Sequence, residues 1–259
     1  MRDTAADRVE ILGCQVDRVS LQSATAKLGR LVGSGGGPYQ AVVLPATSIM
    51  HARRDRHFLR VCNGAAMVLP DGVPLLWASR LLGAPIPGRV AGSDLFWELS
   101  RLAEEEHYTC YLLGSTPRVL ARLEGVLRRR FPRLRLVGSF APPLSSSFSP
   151  TATDDMLRRV NAARPDILWV GLGAPRQELW IHANLPRLDV RLAIGVGAAF
   201  DMCSGSVRRA PRWMQKAGLE WFFRFLFEPR RLFRRYFVDS APFLPLVLRQ
   251  RIRELRRYC

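Results

Sequence analysis

Two apolar runs of strand length, each closed by Gly-x-Gly and each leading into a helix-like segment, constrain this chain more than anything else in it. The first reads DILWVGLGAPRQELWI from Asp166, and the second reads VRLAIGVGAAFD and ends at Asp201. An unbroken apolar run of five or six residues suits a strand buried on both faces of a parallel sheet. Both loops would then lie at the carboxyl ends of strands, where open α/β sheets bind ligands. Glycines let a ligand approach the backbone, and a helix starting behind them offers N–H groups to an anion. Gly171, Gly173, Gly195 and Gly197 are therefore candidate contacts, with Gln177, Glu178 and Asp201 beside them. Neither loop completes the dinucleotide fingerprint, since Arg176 and Phe200 stand where its third glycine belongs. Ordinary strand–helix connections remain the alternative for both.

The rest of the chain supplies the other layers of such a fold. Val9 to Val19 alternates loosely, as a hairpin at a sheet edge would. Helical spacing covers Leu21 to Val32, and YQAVVLP (Tyr39–Pro45) reads as a strand. Thr47 and Ser48 then open a helix running to Arg54, where either hydroxyl could cap it. Ala65 to Leu69 is an apolar strand ending in Pro70-Asp71-Gly72, which by itself is a turn signal. Its position gives it more meaning, because Asp71 would stand at a strand's carboxyl end, facing the same crevice as the glycine loops. Helices follow over PLLWASRLLG, Gly92–Glu106, Pro117–Arg130 and Asp154–Ala163, with strands over Thr109–Gly114 and Arg133–Gly138. Strands alternating with helices predict a parallel sheet with helices on both faces.

Charge divides the chain. Of the net +17, the 56 residues from Ser204 onward carry +10, from fourteen basic side chains against four acidic ones. The same stretch holds Trp213, Trp221, Phe222, Phe223, Phe225, Phe227, Phe233, Tyr236 and Phe237. Basic residues interleaved with aromatics suit an anionic membrane surface or nucleic acid. A solvated helix in an arginine-rich chain is the plain alternative. The longest late apolar run, Ser240 to Leu248, has two prolines and falls well short of the roughly 20 residues a bilayer span needs. The five cysteines are scattered and never paired as C-x-x-C, and the four histidines show no ligand spacing. Reduced thiols, no metal site and no cofactor are therefore expected. The polar start, MRDTAADRVE, has no signal-peptide character.

Five stretches taken together resemble a known family: PDGVPLLWASRLLG, RVAGSDL, VGLGAPRQELWI, GVGAAFDMCSGSVRRAPRWMQKAGLEWFFRFLFEPRR and a final RRY. In order and spacing, from about Val9 to Tyr236, they are similar to the bacterial WecG/TagA/CpsF glycosyltransferases. The resemblance implies a Rossmann-like, mostly parallel α/β core over residues 1–203, with a helical basic appendage over 204–259. It implies inverting transfer of an N-acetylmannosamine-type sugar from a UDP-sugar donor to a sugar on undecaprenyl diphosphate, without a bound metal. It also implies the roles of individual residues. Asp71 would be the catalytic base, and Arg89 would match the arginine of R-x-x-G-x-D-L. Gln177 would match the glutamine of the P-K/R-Q-E loop, beside Glu178. Arg224, Arg231 and Arg234 would be arginines that the appendage lends to the active site. Many members carry Thr-Pro-Asn after the second strand, where this chain has Leu44-Pro45-Ala46-Thr47-Ser48. Either Thr47 and Ser48 replace those contacts or acceptor recognition differs.

The expected partners are thus a UDP-sugar donor, a lipid-diphosphate-linked sugar acceptor and an anionic membrane surface, with no nucleic acid and with homo-oligomerisation left open. The expected location is cytoplasmic, on the inner face of the plasma membrane. Two other readings compete. A Rossmann-type oxidoreductase would need the full glycine fingerprint with an acid about 20 residues on. A non-enzymatic nucleic-acid-binding protein would suit the charge, yet no helix-turn-helix, zinc or single-strand RNA motif is visible.

Overall fold

In the computed structural model the described residues are 7–143, 148–211, 213–214, 219–227, 229–233 and 239–258, with the backbone alone at 224, 231, 232, 257 and 258. A hairpin, β1 (Arg8–Ile11) and β2 (Cys14–Asp17), comes first, followed by α1 (Leu21–Gly33). Then come β3 (Tyr39–Pro45), α2 (Ala46–Ala52), α3 (Arg56–Gly64), β4 (Met67–Asp71) and α4 (Val73–Leu81). The middle of the chain runs α5 (Gly92–Glu105), β5 (Thr109–Gly114), α6 (Pro117–Arg130), β6 (Arg135–Phe140) and α7 (Pro150–Ala163). It continues through β7 (Ile167–Gly171), α8 (Arg176–Asn184), β8 (Leu192–Gly195) and α9 (Ala199–Cys203). Among the described residues, α10 (Glu220–Phe227), α11 (Pro229–Phe233) and α12 (Phe243–Tyr258) follow.

Six strands form one parallel sheet in the order β4-β3-β8-β7-β5-β6. The unbroken apolar runs follow from burial on both faces. Within β3, Ala41 and Val43 pack on one face while Val42 and Leu44 pack on the other. In β7, Ile167 and Trp169 share the first face, and Leu168 and Val170 face α7 and α8. Helices α1, α5, α6 and α9 cover the first face; α2, α3, α4, α7 and α8 contribute to the clusters on the second.

The hairpin is a separate two-stranded sheet that guards an edge. Its Asp17 accepts the Val68 N–H at 2.6 Å, from edge strand β4, and pairs with Arg8 at 3.1 Å. An edge N–H that could template pairing with another chain is thereby used. The final helix returns to the core. Phe243 and Val247 are buried in the second-face cluster, and Gln250 accepts the Leu12 N–H and donates to the Glu10 carbonyl. Among the described residues, no helix is long and apolar enough to cross a membrane.

Several boundaries differ from the sequence expectation, each for a local reason. The helix after β3 begins at Ala46 with Pro45 in the N-cap position, so neither Thr47 nor Ser48 caps it. Strand β4 runs on to Asp71, because Pro70 still pairs with Leu44 and Asp71 with Pro45. Helix α7 starts at Pro150 rather than Asp154, with the Ser149 hydroxyl accepting the Ala152 N–H. Strand β6 is shifted to Arg135–Phe140, and its register against β5 slips between Cys110 and Tyr111.

Candidate functional site

The carboxyl ends of β4, β3, β8, β7 and β5 present one edge, and the segment Arg89–Asp94 lies across it. Val90 donates to the carbonyl of Pro70 at 2.8 Å, fixing Arg89 next to the end of β4. At the other end of the segment, Gly92 abuts the Val196 carbonyl, Ala199 and Val43, so α5 starts over the loop after β8. Asp71 is the last residue of β4 and half-buried. Gly72 follows with φ of 101°, a conformation glycine adopts without strain, and the chain turns at once into α4. The Asp-Gly pair thereby ends a strand and starts a helix within one residue.

Connections reverse direction between β5 and β7, since β5 leads outward to β6 and β7 leads inward to β8. Ligands bind at such switch points in open α/β sheets. The two strands close tightly there. Gly114 has φ of 117°, and a Cβ on it would lie 2.6 Å from the Gly171 backbone.

The two glycine loops are neighbours, and protein groups account for much of their chemistry. A Cβ at Gly171 would lie 2.6 Å from the Phe200 ring, and one at Gly195 would lie 2.8 Å from the Gln177 side chain. Gln177 is buried, accepts the Gly173 N–H at 3.1 Å through Oε1 and donates to Glu178 Oε1 at 2.7 Å through Nε2. In the second loop, Val196 donates to the Val170 carbonyl at 2.9 Å. The glycines thus let two strands and two helices close around Gln177, which ties one loop to the other. Asp201 lies on α9, where its carbonyl accepts the Val207 N–H at 3.0 Å. Thr47 is half-buried and Ser48 buried in the first turn of α2.

Glu178 is 1% exposed, and its Oε2 has no hydrogen-bond partner among the described residues. Burial pushes its pKa from 4.5 up to about 7, against the opposing hydrogen bond from Gln177. Cys62 of α3 faces it, with a thiol also raised by burial, and the backbone carbonyl of Glu178 accepts from Gln40 Nε2 at 2.9 Å. The folded chain holds a proton here that the unfolded chain gives up above pH 4.5. This contribution to stability is therefore complete below about pH 4.5 and is lost as pH rises through about 7. Glu178→Gln is expected to remove that slope and to raise stability at pH 8 by on the order of 3 kcal/mol, with little change near pH 4.5. Denaturant unfolding at both pH values tests this, and equal gains at both would reject the ionisation argument.

Arg89 is engaged on both sides. Its Nη1 donates to Glu220 Oε2 at 2.9 Å, and its Nη2 is 3.6 Å from Asp94 Oδ2. Arg209 holds the same two carboxylates, Asp94 in bidentate fashion at 2.5 and 2.9 Å and Glu220 Oε1 at 3.0 Å. Burial opposes the Arg209 charge, but Asp94 and Glu220 more than offset it, so its proton is held more tightly than usual. This ring of two guanidiniums and two carboxylates fastens the start of α10 to the start of α5. Sequence reading singled out Arg89 alone. Asp94 was visible in the RVAGSDL stretch, but no local pattern links it to Arg209 or Glu220. Of the appendage arginines, Arg224 falls on α10 and Arg231 on α11, their side chains outside the described residues, as is all of Arg234.

The four described cysteines are buried free thiols, and burial raises those of Cys14, Cys110 and Cys203 to about 12. Past residue 210, Trp213, Trp221, Phe222, Leu226, Phe227 and Phe233 are among the exposed apolar side chains.

The sequence model described as "Glycosyl transferase WecG/TagA/CpsF family" matches residues 9–257. A Bacillus subtilis (strain 168) protein is 32% identical over 180 residues, 70% of this chain and 68% of its own length. A Staphylococcus aureus (strain NCTC 8325 / PS 47) protein is 26% identical over 226 residues, 87% of each chain. Both are named N-acetylglucosaminyldiphosphoundecaprenol N-acetyl-beta-D-mannosaminyltransferase.

Proposed function

The chain belongs to the WecG/TagA/CpsF glycosyltransferase family, and from that premise we propose that it transfers an N-acetylmannosamine-type sugar from a UDP-linked donor to N-acetylglucosamine on undecaprenyl diphosphate. The observation that carries this reading is the Val90–Pro70 hydrogen bond, which holds the backbone of Arg89 beside the strand end that carries Asp71. A carboxylate and a guanidinium at one edge supply what an inverting transfer needs. Asp71 takes the proton of the acceptor hydroxyl as that oxygen bonds to the anomeric carbon. The bond from that carbon to the phosphate oxygen breaks on the opposite face, and its electron pair leaves with UDP. Arg89 offsets the charge that gathers on the departing diphosphate, in a geometry guanidinium suits.

The glycine loops, tied by Gln177, form the floor of the donor crevice, where Gly173 and Gly197 approach each other. Thr47 and Ser48 stand where the acceptor sugar enters. Arg224 and Arg231 lie on helices that follow directly from Glu220, which is fixed to Arg89. That proximity supports a part for the appendage in binding the diphosphate. Its exposed aromatics and net positive charge support peripheral docking on an anionic leaflet, with about 1 kcal/mol for each basic residue near the surface.

The test is a screen of UDP-sugars against a short-chain lipid-diphosphate N-acetylglucosamine acceptor, read by mass spectrometry. Addition of one N-acetylhexosamine from UDP-N-acetylmannosamine is the expected result. Transfer of a different sugar would overturn the donor assignment, and no transfer from any UDP-sugar would overturn the donor class. Sedimentation with anionic vesicles should weaken with salt, and retention in neutral vesicles alone would remove the charge-based docking.

A further inference from the structure

We propose that Arg89 and Glu220 are an exchangeable pair: the donor diphosphate replaces the Glu220 carboxylate on Arg89, while Arg209 stays hydrogen-bonded to both acidic partners. This inference rests on the reading of Arg89 as a diphosphate ligand.

The argument comes from how the four side chains share their contacts. They are 15 to 30% exposed, so an ion left alone among them would carry a desolvation cost. Withdrawing Arg89 leaves no carboxylate alone. Asp94 retains both Nη atoms of Arg209, and Glu220 Oε1 retains Arg209 Nε. Withdrawing Arg209 is different, because Arg89 reaches Asp94 only at 3.6 Å. Arg209 is thus the fixed member and Arg89 the movable one.

Glu220 is bonded to the guanidinium of Arg89 as a phosphate oxygen would be. A diphosphate brings more charge and more acceptor oxygens, and guanidinium binds such groups in bidentate fashion. Exchange therefore frees Glu220 from Arg89 without releasing α10, which stays fixed through Arg209. Glu220 acts as an internal competitor for the donor, and Arg209 is a positioning residue that sets how easily Arg89 turns.

Opposite signs separate this from simple anchoring. In titration calorimetry of the full chain with UDP and, separately, inorganic pyrophosphate, Glu220→Gln should tighten binding roughly 3- to 10-fold, since a competing charge is gone. Arg209→Met should weaken binding by a similar factor, because Arg89 then becomes the partner of both carboxylates. Arg209→Lys should fall between, as one ammonium lacks the fork that holds two carboxylates. The double variant Arg209→Met with Glu220→Gln should regain much of the loss. A gain of affinity in Glu220→Gln cannot come from misfolding. Weaker binding in Glu220→Gln, or no change, would overturn the exchange while leaving the proposed transfer intact. Unchanged pyrophosphate binding in Arg89→Met would instead remove Arg89 as a phosphate ligand and overturn both.

Discussion

Asp71→Asn is expected to lower the rate of sugar transfer by roughly 10²–10⁴-fold, the usual worth of positioned acid–base catalysis. The amide matches the carboxylate in shape but cannot take the acceptor's proton. The loss should fall on kcat and on kcat/KM alike, since the interaction removed exists only as the hydroxyl attacks. Donor binding should persist, because the diphosphate is assigned to Arg89 and the glycine loops. The fold should persist too, since Asp71 ends β4 through backbone pairing with Pro45 and the turn depends on Gly72. Assays with short-chain acceptor, together with UDP titration, separate these effects. A variant that transfers within a few-fold of the parent would leave the protein without its proposed base.

Much of the architecture was legible because period and burial agree. β5 and α6 stand at their sequence-based limits, and the two glycine-closed runs form strands β7 and β8. Runs such as ILWV have one structural solution when both faces are covered. α3 escaped because its apolar positions, Phe58, Leu59, Val61 and Cys62, are few and stand among polar neighbours. Its readable signal was the start, where Asp55 accepts the N–H groups of His57 and Phe58. The strand ending in Pro-Asp-Gly looked shorter than it is because proline lacks a donor. Pro70 uses only its carbonyl, toward Val90, and the strand continues past it.

The candidate site was legible as an edge but not as a set of contacts. Gly-x-Gly suggested an approach to a ligand, whereas the side chains nearest Gly171 and Gly195 are Phe200 and Gln177. Sequence cannot tell a glycine that admits a phosphate from one that admits a neighbouring ring. Nor can it pair charges far apart in the chain. Arg89 lies 131 residues from Glu220, and Arg209 lies 115 from Asp94. Each looked like one charge among many until the fold brought α5 and α10 together.

Phe243→Ala is expected to cost about 3–5 kcal/mol of stability, the range for removing a large aromatic from a packed core. Composition alone makes α12 look like surface, since it is rich in arginine and exposes Leu248, Ile252 and Leu255. Its opposite side is buried. Phe243 is 2% exposed and shares a cluster with Ile11, Val16, Leu75 and Ala78, from the hairpin and α4. α4 begins two residues after Asp71, so this packing supports the helix that fixes the proposed base. Leu248→Ala, on the exposed side, should change stability by no more than about 0.5 kcal/mol. Denaturant unfolding of the two variants gives the comparison, and a cost below about 1 kcal/mol for Phe243→Ala would detach α12 from the core. If the expected asymmetry holds, removing everything after Cys203 also strips Phe243 and Val247 from beneath α4. Loss of transfer in such a truncation could then reflect damage to the core as much as loss of the appendage. Separating the two requires substitutions at Arg224 and Arg231 that leave α12 in place.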